Sequence, residues 1–72
     1  MPVSTITYFY ENGEISGRMN DVSVENDSTA SVIAQKYMSQ FPAIDKAIVT
    51  GGFVQDGWEQ TISRTTEWQK RN

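Results

Sequence analysis

Residues 3–19 read VSTITYFYENGEISGRM, two stretches rich in β-branched and aromatic residues on either side of an Asn-Gly pair. Asn-Gly favours a two-residue type I′ turn, which needs positive φ at both central positions, and it is the strongest short signal for a β-hairpin. A turn at Asn12-Gly13 gives the hairpin one apolar face and one more polar face. The expected pairs are Tyr10/Ile15, Tyr8/Gly17 and Ile6/Met19 on the apolar face, and Phe9/Ser16, Thr7/Arg18 and Thr5/Asn20 on the other.

Strict alternation fails in the second half of this hairpin, because it would bury Asp21 and Ser23 and expose the valines beside them. One extra residue in the strand would correct this. We therefore predict a β-bulge near Asn20-Asp21 that returns Val22 and Val24 to the core face.

An amphipathic helix of about three turns is predicted after the bulged strand. It follows a polar cluster in which Asp27 or Ser28 is the expected N-cap. It ends at Phe41, because Pro42 disfavours helical dihedral angles in the preceding residue and has no N–H to donate. Its apolar stripe consists of Ala30, Ile33, Ala34, Tyr37 and Phe41.

A second hairpin is predicted from Lys46 to Val54 and from Trp58 to about Thr66, with a type I′ turn at Asp56-Gly57. Its buried face then carries the pairs Gln55/Trp58, Phe53/Gln60, Gly51/Ile62 and Val49/Arg64, with Ala47 and Trp68 further along. Its reverse face is rich in Thr, Ser and charge, and carries Lys46, Ile48, Thr50, Gly52, Val54, Glu59, Thr61, Ser63, Thr65 and Glu67.

These elements predict an α+β domain of order ββαββ. It is a two-layer sandwich, with a four-stranded antiparallel sheet and one amphipathic helix on one face. Gly17 opposite Tyr8 and Gly51 opposite Ile62 would leave room for helix side chains. Residues 1–72 suit a single small domain, in which Gln69–Asn72 is free to fray. The order of strands between the two hairpins stays open.

The amino-acid composition limits the chemical functions that the chain can perform. It has 72 residues, no Cys, no His and a net charge of −3. The usual acid–base, nucleophilic and zinc-binding side chains are therefore missing, and we expect neither an enzyme nor a metal or other cofactor. Acidity disfavours nucleic acid as a partner. Without an apolar stretch that resembles a signal peptide or a membrane span, the expected location is the cytoplasm and no membrane contact is expected.

Three local patterns resemble functional motifs and are better explained structurally. Glu11 and Glu14 flank an exposed turn, where nothing desolvates a carboxylate pair. Gly51-Gly52 lies within a predicted strand, whereas a phosphate-binding loop leads into a helix. The oxygen-rich residues 21–27 lack the central Gly and the terminal Glu of an EF-hand, so helix capping is the preferred role.

The aromatic residues divide between the two predicted faces. Tyr8, Tyr10, Trp58 and Trp68 fall on the helix-facing side, which favours a core role over a stacking platform for single-stranded nucleic acid. Phe9 falls on the other side. With Ile48 and Val54 it would form an apolar patch if the hairpins are neighbours, and such patches often mark interfaces.

The sequence therefore favours a non-enzymatic protein that occludes or bridges a macromolecular partner, most readily another protein. We expect a small accessory or inhibitory protein, for instance one encoded by a phage or mobile element against a host factor. One alternative is a nucleic-acid-binding module that uses Arg18, Lys46 and Arg64 with the aromatic residues. Another is a homo-oligomer, such as a homodimer, formed through the sheet face or a sheet edge. The expected contact residues are Phe9, Arg18, Ile48, Thr50, Val54, Glu59, Thr61 and Glu67.

Overall fold

The structure is a computed structural model and describes residues 2–63. Strands β1 (Val3–Tyr10), β2 (Ile15–Ser23), β3 (Ile44–Gly51) and β4 (Gln60–Ser63) form one antiparallel sheet in the order β2-β1-β3-β4. Helix α1 (Thr29–Gln40) packs on one face of this sheet. The predicted α+β fold, ββαββ order and antiparallel sheet are confirmed. Predictions that involve residues 64–72 lie outside the described residues, including Arg64, Glu67 and Trp68.

The core lies between α1 and the sheet. Ala34 of the helix and Ala47 of β3 are both fully buried, and their small side chains let the helix backbone approach the strands closely. Larger side chains fill the space around them: Ile6, Tyr8, Val24, Met38, Ile44, Val49 and Ile62. Met38 belongs to the buried side of the helix although the predicted stripe omitted it. The Tyr37 ring joins the core to the end of the helix, with centroid distances of 4.4 Å to Tyr8 and 4.6 Å to Phe41.

The first hairpin has the predicted register in its middle and a different turn. Tyr8 pairs with Gly17 as expected, but Phe9 pairs with Ile15, which leaves Ser16 as an extra residue. The amide of Gly13 donates to the carbonyl of Tyr10 at 2.9 Å, and Gly13 has φ +92° while Asn12 has no positive φ. This is a three-residue loop with a left-handed glycine, the second most common hairpin solution. The predicted type I′ turn and the pairs Tyr10/Ile15 and Phe9/Ser16 are therefore wrong.

The predicted bulge at Asn20-Asp21 is confirmed. Ser4 pairs with Val22 whereas Ile6 pairs with Met19, so β2 contains one residue more than β1 between these pairs. Asp21 has φ +56°, a left-handed conformation, which Asp tolerates better than most residues. Val22 packs against the core and Val24 is buried, as expected from the bulge.

The helix begins and ends where the sequence indicates, but its N-terminus is stabilised by other hydrogen bonds than the predicted cap. Ser28 is the N-cap residue, yet its side chain forms no capping hydrogen bond. Instead, the Thr29 hydroxyl accepts hydrogen bonds from the amides of Glu25 and Asn26, each at 3.2 Å. The Asn26 side-chain oxygen accepts one from the Ser28 amide at 2.9 Å. The helix ends at Gln40, before the extended Phe41 that precedes Pro42.

The second hairpin differs most from prediction. Ile62 pairs with Ala47 instead of Gly51, and Gly51 pairs with Ser4 of β1. Residues 52–59 form a loop with two turns, in which the Val54 amide donates to the Gly51 carbonyl at 3.0 Å and the Trp58 amide to the Gln55 carbonyl at 2.9 Å. Asp56 lacks positive φ, so the predicted type I′ turn at Asp56-Gly57 is wrong. The register moves by an even number of residues, and for this reason Ala47, Val49 and Ile62 still face the core.

Because this loop is longer than the predicted two-residue turn, three side chains lie elsewhere than predicted. Phe53 and Trp58 were predicted on the buried face, but 50% and 68% of their surfaces are exposed. Val54 was predicted on the reverse face together with Phe9. It lies instead in the loop and packs against the core from the helix side, near Val24, Ala30 and Val49.

Candidate binding surface

The sheet has one face that α1 does not cover, here called the open face. Ile6 and Tyr8 of β1 point into the core, so the residues between and beside them point the other way. Residues that pair with those positions lie on the same side of the sheet. The open face therefore includes Thr5, Thr7, Phe9, Ile15, Arg18, Lys46, Ile48, Thr50, Thr61 and Ser63.

Two adjacent rows form the centre of the open face. In the first row Phe9 lies between Ile15 of β2 and Lys46 of β3. In the second row Thr7 lies between Arg18 of β2 and Ile48 of β3. The two cations thus stand at opposite corners of this array, and the two isoleucines stand at the other pair of corners. Apolar groups and positive charges are interleaved there.

Both cations contact neutral groups of neighbouring strands. The Lys46 Nζ lies 5.5 Å from the centroid of the Phe9 ring, a cation–π distance. The Arg18 Nε donates a hydrogen bond to the Thr7 hydroxyl at 3.1 Å. Each contact holds a long side chain along the sheet surface while leaving other N–H donors for a ligand, since a guanidinium has five and an ammonium three.

The structure places most of the predicted contact residues together. Phe9, Arg18, Ile48, Thr50 and Thr61 lie on the open face, and the exposed Glu59 directly precedes β4. Glu67 lies outside the described residues, and the predicted position of Val54 is wrong. Sequence reasoning also missed Ile15, 54% of which is exposed. A three-residue turn would have moved Ile15 beside Phe9, and the same Asn-Gly pair is compatible with either turn.

Acidic residues lie around the open face rather than at its centre. Asp21 and Asp45 occupy bulge positions in β2 and β3, outside the regular pairs. The remaining acids of residues 2–63 are in turns, loops and the segment before α1: Glu11, Glu14, Glu25, Asp27, Asp56 and Glu59. The regular positions of the described strands on the open face therefore carry positive charge in a protein whose net charge is −3.

A second uncovered region lies on the helix side, at the β2 edge. There Met19, Ile33, Lys36, Tyr37 and Gln40 line a shallow groove of about 250 Å³. Gly17 was expected to make room for helix side chains. A side chain added at this residue would meet nothing within 4 Å, so the space beside Gly17 is open and no helix side chain fills it.

The titratable groups of the described part do not assemble into a chemical centre. Among residues 2–63 no three acidic side chains are close enough to hold a metal ion, and Glu11 and Glu14 are exposed in the first turn. Burial, with a smaller contribution from Tyr37, raises the pKa of Tyr8 to about 12, which is a consequence of its place in the core. Within the same residues no helix has the length and apolar character that a membrane crossing requires.

Comparison with protein-family models, with curated proteins and with solved structures gave no match to this chain.

Proposed function

We propose that this chain is a non-catalytic binding protein that occludes or bridges another protein through its open face. The observation that supports this most directly is the one-sided cover of the sheet. Helix α1 packs on one face, while the other presents Phe9 and Ile15 beside Arg18 and Lys46. Aromatic and Arg side chains are enriched at the centres of protein interfaces, and a contiguous exposed apolar patch is typical of them.

The proposed contact has an apolar centre and a polar margin. Phe9, Ile15 and Ile48 would lose water on binding, which is favourable at about 25 cal/mol per Å² of apolar surface. Thr50 and Thr61 extend the surface toward β4, and their hydroxyl groups can exchange hydrogen bonds to water for hydrogen bonds to the partner. Glu59 lies at the margin, and Glu67 is assigned there from the sequence.

The proposal of a non-catalytic role rests on residue types and placement. The chain has no His and no Cys, the residues on which acid–base and nucleophilic catalysis most often depend. We also propose, from size and composition alone, a cytoplasmic protein of phage or mobile-element origin that modulates a host protein.

The test is an affinity capture from a host lysate with the wild-type chain and with Phe9→Glu, followed by identification of the captured protein and measurement of its affinity. We expect Phe9→Glu to weaken that complex at least about tenfold, because it buries a charge in the centre of the contact. Val32→Glu is the matched control, since Val32 lies on α1 with 61% of its surface exposed. Equal capture by all three chains, with circular dichroism showing that each is folded, would rule out the open face as the binding surface.

A further inference from the structure

We infer that the partner of the open face is an acidic polypeptide segment in extended conformation, with two carboxylates that flank one apolar side chain. This inference rests on the proposed function and adds the chemistry of the partner. It follows from the positions of Arg18 and Lys46 relative to the apolar residues between them.

The charge of the open face differs from that of the whole chain. The regular positions of the described open face hold Arg18 and Lys46 and no acid, although the chain as a whole has a net charge of −3. The acids are in turns, loops and bulges. A surface whose sign is opposite to that of the whole protein selects a partner of complementary charge and suppresses others.

A second copy of the chain does not fit as the occupant of the open face. A copy laid face to face on this surface would contribute two more cations from its own Arg18 and Lys46 and no acid from the regular positions. The regularly paired positions would then bring four cations together with no acid among them, and like charges that face each other at an interface are unfavourable.

The open face fits an acidic protein segment better than it fits nucleic acid. Tight binding to a phosphate backbone usually relies on a patch of many cations in a basic domain. Here the described open face has two cations within an acidic chain. The Phe9 ring is also contacted by the Lys46 ammonium, 5.5 Å from its centroid, so this cation occupies a ring face that a base would otherwise stack on.

The distance between the two cations matches the spacing of side chains in an extended segment. Arg18 and Lys46 are two strands apart and one row apart, which puts their Cα atoms roughly 12 Å from each other for ordinary strand geometry. In an extended segment, residues i and i+4 point to the same side and lie about 13 Å apart, with residue i+2 between them. Carboxylates at i and i+4 would therefore reach the two cations, and an apolar side chain at i+2 would contact Phe9, Ile15 and Ile48.

The experiment uses synthetic peptides of the form Glu-x-Leu-x-Glu with Ser and Thr at the other positions. Matched Gln-x-Leu-x-Gln and Lys-x-Leu-x-Lys peptides and a 12-nucleotide oligothymidine serve as comparisons. Binding to the full chain is followed by ¹H–¹⁵N NMR titration. We expect the Glu peptide to bind about tenfold more tightly than the Gln peptide, with the largest shifts at Ile15, Arg18, Lys46 and Ile48. We also expect its affinity to fall as salt is raised.

Two variants show which cations cause the preference for the Glu peptide. The double substitution Arg18→Gln and Lys46→Gln should abolish the preference for Glu over Gln, whereas Lys36→Gln, a change on the helix side, should leave it intact. Equal affinity of the Glu and Gln peptides, shifts confined to the helix side, or tighter binding of the oligothymidine would each overturn the inference. If Glu and Gln peptides bind the open face equally, the inference fails while the proposed function stands. If no peptide binds there, the inference fails, and if Phe9→Glu also captures the same proteins as wild type, the proposed function fails with it.

Discussion

The Tyr8 hydroxyl of the inner strand β1 donates a hydrogen bond to the Met19 sulfur of the edge strand β2, 3.5 Å away. Tyr8 is almost completely buried, and this burial, with a smaller effect of Tyr37, raises its pKa from 10.0 to about 12. The folded state therefore holds the phenol proton more tightly than the unfolded chain does.

This difference predicts a loss of stability at high pH. The contribution of Tyr8 is fully present below pH 10 and is lost as the pH rises toward about 12. The stability lost in this way is roughly 2 to 3 kcal/mol, because a pKa difference of one unit between the folded and unfolded states corresponds to about 1.36 kcal/mol. We expect the free energy of unfolding, measured in urea between pH 9 and about pH 12, to fall more steeply for wild type than for Tyr8→Phe. Parallel curves for the two proteins would contradict the assignment.

Gly52 is predicted to be the glycine least tolerant of substitution. It has φ +63°, and a Cβ there would collide with the Ser4 hydroxyl and with Val24. Gly13 has φ +92° with nothing within 4 Å, and Gly17 has open space and no positive φ. We expect Gly17→Ala to change stability by less than about 1 kcal/mol, Gly13→Ala to cost about 1 to 2 kcal/mol, and Gly52→Ala to cost more than either. Thermal denaturation of the three variants gives the ranking, and a Gly52→Ala protein as stable as Gly13→Ala would disprove the close contact.

Met38 is predicted to be essential for the core although the sequence pattern did not identify it. It is buried beneath the last turn of α1. Met38→Ala should destabilise the fold by about 2 to 5 kcal/mol, whereas Met38→Leu, which keeps the volume, should cost less than about 1.5 kcal/mol. A domain of this size has a net stability of only about 3 to 5 kcal/mol, so Met38→Ala is expected to be partly unfolded at 25 °C. Val32→Ala on the exposed side of the helix is the control, and a loss equal to that of Met38→Ala would argue against the observed packing.

Asp21 is predicted to be a site where substitution can stabilise the protein. Its φ of +56° is strained for most residues and free of strain for glycine. Asp21→Gly should therefore raise stability by up to about 1 kcal/mol, and Asp21→Val should lower it by about 1 to 2 kcal/mol. Chemical denaturation of both variants measures these changes. If the two substitutions have the same effect, the left-handed bulge does not determine the stability of this strand.

The first hairpin and the helix were predictable because short-range signals specify them. Alternation places Ile6 and Tyr8 in the core, and the polarity of Asp21 reveals the bulge. The turn was not predictable, because Asn12-Gly13 can supply either two left-handed residues or one. The consequence reaches the candidate site, since the choice between these turns decides whether Ile15 lies beside Tyr10 or beside Phe9.

For the second hairpin, the sequence predicted which strand residues share a face but not the register or the turns. Gly51, Gly52 and Gly57 supply three positions with positive φ, and a pattern of alternation cannot tell which of them close turns. Because the register differs from the predicted one by an even number of residues, each side chain stays on its predicted face. Ile48, Thr50 and Thr61 therefore lie on the face where they were predicted. Val54 was misplaced because it lies in a loop, where alternation no longer applies.

The two bulges of β2 have a consequence for how the chain behaves at high concentration. The bulges at Ser16 and at Asn20-Asp21 interrupt the outer strand at either end, so its regularly paired portion between them is limited to residues 17–19. Segments that stack into fibrils are about six or seven residues long and unbroken. The exposed edge of β2 is therefore a poor template on which further copies could pair strand by strand, because bulges blunt an edge strand against such pairing.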